Sequence, residues 1–413
     1  MLTRNDLEAK RVEALRRKAR HGSLVVSFTM ACVILAAINL RPALTSTATM
    51  VTEIQQSLGL SGAWIGILTT MPVLCFGIFG PLAPLLSARF GLERAIALLL
   101  TGLAAGLVLR VLPNSMALFA STLLAGAAIG MAGVLLPVVI RRRFPHRLGP
   151  MTGLYTMILS VGGASAAGLT PIFERVWQSW TLALASWSIP ALVAGLLWSG
   201  LAFSRSATTG TAPLPRFSLL LRDRLAWYVT AFMGLQAGLA FIVLGWLPTL
   251  LRDRGLDVLN AGVVTSVSIL AQTVTALLVP SLATQRVSPR LLIVLVLSAT
   301  CIGFLGLLYA PLPTRHLWAL ILGLGQGGLF GLALLFVTLR APTAEVTAML
   351  SGMSQSIGYL GASLCPFAVS LLRGGPDPFI GPAVMVAAVT AACTWCGFKA
   401  AAPAYVLPHL RHG

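Results

Sequence analysis

The sequence predicts an all-α integral membrane protein with twelve transmembrane helices in two pseudo-symmetric six-helix halves. Hydrophobic residues make up 57% of the 413 residues and charged residues only 10%, which is more apolar surface than one water-soluble core can bury. Apolar runs long enough to cross a bilayer recur along the whole chain, and the two halves of the sequence resemble each other. Each of these observations is developed below.

The apolar runs are separated by short charged or Pro/Gly-containing breaks. A hydrocarbon core about 30 Å thick needs roughly 20 apolar residues in a helix. Strands of a barrel would alternate apolar and polar residues, which these runs do not. The predicted spans, numbered 1 to 12 in chain order, lie at residues 24–50, 61–87, 93–112, 115–140, 150–173, 180–203, 225–251, 260–284, 289–309, 316–339, 346–372 and 379–402.

Lysine and arginine predict the orientation of these spans. Most of the 29 Lys and Arg residues lie in segments on the same side as the N-terminus, so both termini are predicted to be cytoplasmic. The formal charge of +18 then reflects topology and attraction to anionic lipid head groups rather than nucleic-acid binding. Because the first apolar run is too long for a cleavable signal, we expect it to remain as a span in a bacterial inner membrane.

The internal repeat predicts how the spans are grouped. A shift of 198 residues places Gly130 on Gly328, Arg142 on Arg340, and one Gly-Ala-Ser tripeptide on another. Parallel six-helix halves are typical of transporters, whose substrate site lies near the midplane between the halves. The predicted organisation is a basic N-terminal segment at 1–23, an N-terminal half at 24–203, a cytoplasmic linker at 204–224, a C-terminal half at 225–402 and a cytoplasmic tail at 403–413.

Residues 36–46 read AAINLRPALTS and set Arg41 beside Pro42 in an otherwise uncharged run. With span 1 at 24–50, Arg41 lies about 6 Å from the midpoint of the span. A guanidinium near there costs about 2.5 to 3.5 kcal/mol and stays charged. Pro42 lacks an N–H, which leaves the Ile38 carbonyl without a helical partner and biases Arg41 away from helical torsions. The stretch therefore predicts a kink beside a cation.

Two interpretations of Arg41 remain open. In the functional one, Arg41 faces a central cavity, and its forked donors await an anion. In the other, Arg41 reaches the outer interface or pairs with Glu53 beyond the helix end. All eleven acids and all five histidines fall in predicted loops or at span ends. A proton relay through an intramembrane acid is therefore not expected, and a lone cavity cation would repel cationic substrates.

Neutral polar side chains inside the spans are the other candidates for contact with a substrate. An unsatisfied polar group in hydrocarbon is costly, so each should face a partner or a wet cavity. For each one, substrate contact and a hydrogen bond between helices remain alternatives. The candidates are Asn39, Thr45, Tyr155, Gln236, Gln326, Gln355 and Tyr359.

Several stretches carry a resemblance to a known family. They are "NLRPALTS" in span 1, "LVLRVLP" closing span 3, "LPVVIRRRF" closing span 4, "GWLPTLL" closing span 7, "GLGQGGLFGLALL" in span 10 and "GMSQSIGY" in span 11. On these stretches the chain resembles major facilitator superfamily transporters, and specifically the cyanate and 2-nitroimidazole transporter family, over nearly its whole length. The resemblance implies alternating access and cyanate or nitroimidazole-like substrates.

The loop after span 2 departs from the superfamily pattern G-x-L-A-D-R-x-G-R-R. It reads "PLLSARFGLER" and has Ala88 at the Asp position, so the resemblance does not carry over a gating aspartate. We assign conformational or gating roles to Pro42, Arg89, Arg94, Arg110 and Arg142. For Arg110, at the predicted outer end of span 3, the simplest interpretation is an interface anchor.

Signatures of other chemistries are weak or missing in the sequence. All six cysteines fall inside predicted spans, so no extracellular disulfide framework is expected. The Cys393-Thr-Trp-Cys396 motif has redox spacing but lacks the βαβ context that such a motif needs. There is no zinc-protease, nucleophile-elbow or P-loop motif. We therefore predict that the protein is not an enzyme and needs no cofactor.

The predicted function is secondary active or facilitative transport of a small monovalent anion, such as cyanate, by alternating access around Arg41. One alternative is transport of a nitroimidazole-like heteroaromatic drug, and a more distant one is a membrane sensor that does not transport. The expected partners are a small anionic or weakly acidic substrate and membrane lipid, with no nucleic acid, and the expected oligomeric state is a monomer.

Overall fold

The structure is a computed structural model that describes residues 27–144, 148–203, 217–285, 287–374 and 377–407. The predicted N-terminal segment at 1–23, most of the linker and part of the tail lie outside these ranges. Within them, twelve helices are long and apolar enough to span a membrane, as predicted. Their bounds are Ser27–Thr49, Gly62–Phe90, Leu92–Val111, Ser115–Arg143, Gly153–Trp177, Trp180–Gly200, Arg224–Asp253, Val258–Thr284, Pro289–Tyr309, Leu312–Leu339, Met349–Leu372 and Ile380–Ala400.

Several spans are interrupted or extended. Span 1 is broken at residues 39–41, before the helix Pro42–Thr49, and Val51–Leu58 continues from it as a separate helix. Short 3-10 turns at Gly80–Leu82, Leu109–Val111 and Leu312–Thr314 lie within spans 2, 3 and 10. Span 6 consists of two helices, Trp180–Ala185 and Ser188–Phe203. The helices of spans 5, 8 and 11 extend over Leu148–Trp177, Val258–Gln285 and Ala344–Leu372, respectively. A short helix, Phe217–Leu220, precedes span 7.

The break in span 1 confirms the kink predicted from Pro42. Because Pro42 cannot donate, the first backbone bonds of the new helix run from Leu44 and Thr45 to the Arg41 carbonyl. Arg41 keeps a near-helical ψ of −28° and departs mainly in φ, −111°. The expected departure of Arg41 from helical torsions is therefore wrong, because Arg41 stays in the right-handed helical region.

The spans pack as two bundles. One apolar cluster is built from the first six spans and contains Ile96, Leu136 and Trp198. A second is built mainly from spans 7 to 12 and contains Phe232 and Phe336. Within the first bundle, the Trp198 indole donates to the Cys32 carbonyl at 2.9 Å. This bond satisfies a buried polar group and ties span 6 to span 1.

We name the two ends of the bundle after residues they carry, the Glu53 face and the Arg143 face. At the Glu53 face, Arg252 Nη1 of the C-terminal half donates to both Glu53 oxygens at 2.7 and 2.8 Å. Nearby, the Ser370 hydroxyl of span 11 donates to the Gly62 carbonyl of span 2 at 2.5 Å. These bonds hold the two halves together at this face.

The polar contacts described at the Arg143 face instead join helices of the same half. Arg143 pairs with Glu93 of span 3. Arg340 donates to the carbonyls of Ala400 and Ala401 at 2.8 and 3.1 Å, which ties span 10 to the end of span 12. A guanidinium suits free carbonyls at a helix C-terminus because it donates to several at once. Of the two ends, only the Glu53 face therefore has described side-chain bonds across the halves; a further bond, from Ser266 Oγ of span 8 to the Ala164 carbonyl of span 5 at 2.8 Å, lies inside the membrane domain.

Candidate functional site

Arg41 lies inside the bundle, where spans of both halves meet. Its side chain runs against Gly163 of span 5: a Cβ built there would be 3.3 Å from Arg41 Cδ and 3.5 Å from Ile269 Cγ2 of span 8. Span 8 belongs to the other half, so Arg41 sits at the junction of the two bundles. The interpretation of Arg41 as a residue at the outer lipid interface is therefore wrong.

A close crossing of spans 1 and 5 at Gly162 places Arg41 at this junction. The Ile38 carbonyl has no helical donor, because residue 42 is a proline without an N–H. It faces Gly162 so closely that a Cβ added there would be 2.1 Å from the carbonyl oxygen. Only a residue without a side chain lets span 5 cross span 1 at this distance. The crossing brings the break in span 1, and Arg41 with it, against the middle of span 5.

One nitrogen of the Arg41 guanidinium has no hydrogen-bond partner among the described residues. Arg41 Nη1 is buried without a hydrogen bond. The proposed pairing with Glu53 is also wrong, because both Glu53 oxygens accept from Arg252. Among the described residues, the carboxylates of Glu93 and Asp253 likewise pair with arginines at the ends of spans. A buried cation is costly without compensation, so this site has unused capacity to bind a negative charge.

Two tyrosines, one from each half, are titratable neighbours of Arg41. Tyr155 of span 5 and Tyr359 of span 11 both interact electrostatically with the guanidinium. The Tyr359 ring packs against Phe76 and Phe241 with centroids 6.4 and 6.0 Å apart. All four rings are half-buried. Of the residues predicted from sequence, the structure therefore brings together Arg41, Tyr155 and Tyr359.

Asn39 and Thr45 are not part of this group. The Asn39 amide donates to the Leu35 carbonyl at 2.6 Å and to the Pro190 carbonyl of span 6 at 3.2 Å. Both amide hydrogens are used, so Asn39 braces the broken helix instead of facing a substrate. The Thr45 hydroxyl donates back to the Arg41 carbonyl at 3.3 Å. Their predicted role as substrate ligands is corrected to support of the break.

The three glutamines have partners within the C-terminal half. Gln326 Nε2 donates to the Leu239 carbonyl at 3.1 Å, and its oxygen accepts from Gln272 Nε2 at 3.1 Å. Gln236 donates to the Met233 carbonyl, and Gln355 donates to Ser351 Oγ. The alternative of hydrogen bonds within the protein fits all three.

Gln272 is a member of this network that the sequence analysis missed. Its side chain is 8% exposed and lies in span 8. The same signal that selected the other three glutamines, an amide in an apolar run, was available to find it.

Arg110 is not an interface anchor. It is 1% exposed, with Nε donating to Ser121 Oγ at 3.0 Å and Nη2 donating to the Ala43 carbonyl at 3.2 Å. The cause is the 3-10 turn Leu109–Val111, which changes the angle between successive side chains from that of an α-helix. Leu109 and Val111 then face outward, 37% and 43% exposed, while Arg110 points into the N-terminal half.

The remaining gating candidates lie at the Arg143 face. Arg89, Arg94 and Arg142 are exposed, and Arg89 stacks over the ring of its neighbour Phe90 at 5.5 Å. The ion pair at this face uses Arg143 and Glu93 instead of Arg142. Adjacent residues on a helix point about 100° apart, so the sequence alone does not show which arginine of the triplet faces inward.

A cavity lies between the halves on the Glu53 side of Arg41. Its polar lining comes from three threonine hydroxyls, those of Thr47, Thr69 and Thr122. Each donates to a carbonyl of its own helix, at 2.9, 3.1 and 2.8 Å. The other lining residues are apolar and include Phe241, which also packs on Tyr359. The cavity is therefore largely apolar, and Arg41 is not among the residues that line it.

Comparison with known proteins agrees with this architecture. The sequence profile of the Major Facilitator Superfamily matches residues 26–366. The crystal structure of a D-xylose-proton symporter superposes with a TM-score of 0.73 at 14% identity, covering 92% of this chain and 98% of the symporter. At that identity the likeness concerns the fold alone.

Three bacterial relatives match over most of their length. The uncharacterized transporter YycB of Bacillus subtilis (strain 168) is 36% identical over 89% of this chain and 92% of its own. The 2-nitroimidazole transporter of Escherichia coli (strain K12) is 33% identical over 82% of this chain and 86% of its own. The cyanate transport protein CynX of the same organism is 31% identical over 83% of this chain and 88% of its own.

Proposed function

Because this chain belongs to the Major Facilitator Superfamily and is an integral membrane transporter, we propose that it moves a small monovalent anion by alternating access around Arg41. The observation that carries the proposal is the buried, unpartnered Nη1 of Arg41 at the junction of the halves. Such a donor is stabilised when an anion accepts from it, and arginine keeps its charge throughout the transport cycle.

The size of the substrate is inferred from the surroundings of Arg41. The guanidinium offers two parallel donors to a linear or planar anion, and Tyr155 and Tyr359 lie on either side of the junction. A phenol from each half can then contact one bound anion. Binding would draw the halves together around it, which is the coupling that alternating access requires. Cyanate fits this description, and a relative is named as its transporter.

A second candidate substrate is a nitroimidazole-like heteroaromatic compound. The rings of Phe76, Phe241 and Tyr359 form a cluster of tilted and edge-to-face pairs beside Arg41, and such a cluster can stack against a planar ring. The 2-nitroimidazole transporter of Escherichia coli matches this chain about as well as the cyanate transport protein does. A nitro group is also a planar acceptor that the forked donors of Arg41 could bind.

The closed Glu53 face suggests the direction of opening. If both termini are cytoplasmic, as the distribution of Lys and Arg favours, the Glu53 face is the outer one. The ion pair between Glu53 and Arg252 would then close the protein to the outside, and access to Arg41 would come from the cytoplasm. We place the protein in the bacterial inner membrane as a monomer.

The proposal is tested by thermal unfolding of the purified protein with sodium cyanate, 2-nitroimidazole or sodium chloride. A ligand stabilises by RT ln(1 + [L]/Kd), about 2.7 kcal/mol at a hundred times Kd. We expect cyanate to stabilise the wild type and not Arg41→Gln. Arg175→Gln is the matched control, because Arg175 is an exposed arginine at the end of span 5. It should respond like the wild type.

Uptake of labelled cyanate into proteoliposomes then separates transport from binding. Equal stabilisation of Arg41→Gln and wild type by cyanate would refute the assignment of Arg41. Stabilisation of the wild type by 2-nitroimidazole alone would favour the second candidate, and binding without flux would favour a sensor.

A further inference from the structure

Arg110 is a second arginine buried in the membrane domain, and the proposed function does not use it. At 1% exposure it is among the largest fully buried side chains of the described chain. Its Nε and Nη2 are bonded to Ser121 and Ala43, but Nη1 is buried without a partner. Both of its partners are neutral oxygens, so these bonds leave the positive charge uncompensated.

The surroundings of Arg110 contain no described carboxylate. It is enclosed by spans 1, 3, 4 and 6 of the N-terminal half, and the described acids lie at helix ends. Glu53, Glu93 and Asp253 are each paired with another arginine. Burying such a charge costs stability. A neutral side chain could donate to Ser121 and Ala43 without that cost, so hydrogen bonding alone does not account for an arginine.

The bond from Arg110 to Ala43 places this charge close to Arg41. Ala43 is two residues after Arg41 on the same broken helix, and because side chains two residues apart point to different sides of a helix, we take the two charges to be roughly 10 Å apart. The Ala43 side chain also lines the cavity between the halves. In a low-dielectric interior an uncompensated charge acts over such distances with little screening. An anion at Arg41 would therefore experience both guanidinium groups.

We infer that Arg110 is a specificity-determining residue, a second fixed positive charge that raises the affinity of the Arg41 site for anions without touching the substrate. The inference rests on the proposed anion function. A unit charge roughly 10 Å away at an effective dielectric constant of about 20 changes an affinity by on the order of tenfold. Neutralising Arg110 should weaken anion binding by about that factor.

The sharpest test neutralises Arg110 without removing it. Ser121 Oγ is 3.0 Å from Arg110 Nε, so Ser121→Asp would set a carboxylate against the guanidinium. Ser121→Asn has the same shape and no charge, and it is the matched control. We expect Ser121→Asp to bind cyanate about tenfold more weakly than Ser121→Asn in thermal-shift titrations. Because the new ion pair satisfies a buried cation, the melting temperature without ligand should not fall.

A second pair of variants separates charge from geometry. Arg110→Lys keeps the positive charge but loses the planar set of guanidinium donors, while Arg110→Met loses both the charge and the donors. Arg110→Lys should unfold at lower temperature than the wild type, since it keeps the buried charge and loses buried hydrogen bonds. We expect cyanate affinity to follow the charge, within about threefold of wild type for Arg110→Lys and about tenfold weaker for Arg110→Met.

Three results would overturn the inference. One is equal cyanate affinity in Ser121→Asp and Ser121→Asn, and another is equal loss in Arg110→Lys and Arg110→Met. Either result, combined with loss of binding in Arg41→Gln, would leave the proposed function intact and remove only the role of Arg110. A wild type that does not bind cyanate at all would overturn both.

Discussion

The crossing of spans 1 and 5 at Gly162 leaves no room for a side chain. A Cβ added there would be 2.1 Å from the Ile38 oxygen, 2.9 Å from its carbonyl carbon and 3.1 Å from its Cα. These are backbone atoms, so they cannot rotate away as a side chain would. A carbon–oxygen contact is normally about 3.3 Å or longer, and Gly162→Ala would have to separate the helices by about 1.2 Å.

The expected cost follows from two opposing effects. Overpacking a tight interface costs about 1 to 3 kcal/mol, while replacing a helical glycine by alanine gains about 0.5 to 1 kcal/mol. The net effect is a destabilisation of about 0 to 2.5 kcal/mol, or a decrease of up to a few degrees in melting temperature. Arg41 lies in the break of span 1, so separating spans 1 and 5 would displace its guanidinium. Cyanate affinity should therefore fall as well.

Unfolding followed by tryptophan fluorescence in detergent measures this cost. The matched control is Gly102→Ala in span 3, where a Cβ would meet nothing within 4 Å. That variant should unfold at the wild-type temperature or slightly above. If Gly162→Ala is as stable as Gly102→Ala, the close crossing, and the placement of Arg41 that depends on it, would be refuted.

Two further predictions concern the contacts that hold the halves and the C-terminal bundle. Glu53→Gln loses the ion pair with Arg252 and should loosen the Glu53 face, which would speed labelling of a single cysteine at Thr69 in a background without native cysteines. The reversed pair Glu53→Arg/Arg252→Glu should restore slow labelling. Fast labelling of that pair would contradict the role of the ion pair. Gln326→Leu should lower the free energy of unfolding by about 1 to 3 kcal/mol, because it leaves Gln272 unpaired. The double variant Gln326→Leu/Gln272→Leu should recover most of that stability in the same unfolding assay. Equal stability of the two variants would argue against the hydrogen bond between Gln272 and Gln326.

The sequence by itself determined which segments of the chain form the twelve long apolar helices. Span length follows from the thickness of the hydrocarbon core, and the break at Arg41 follows from a proline that cannot donate a backbone bond. Both are local properties of the chain, so hydropathy and one dipeptide were enough to predict them. The location of the acids in loops or at the ends of spans was equally readable from the residue order.

Only the tertiary structure decided which way each polar side chain points. Hydropathy reports depth in the membrane, whereas rotation about a helix axis is set by packing against spans that are distant in sequence. Asn39 therefore turned to span 6, Arg110 turned inward through a 3-10 turn, and Glu53 paired with Arg252 instead of Arg41. The meeting of Tyr155 and Tyr359 at Arg41 depends on the same long-range packing, which one sequence does not encode in any local pattern.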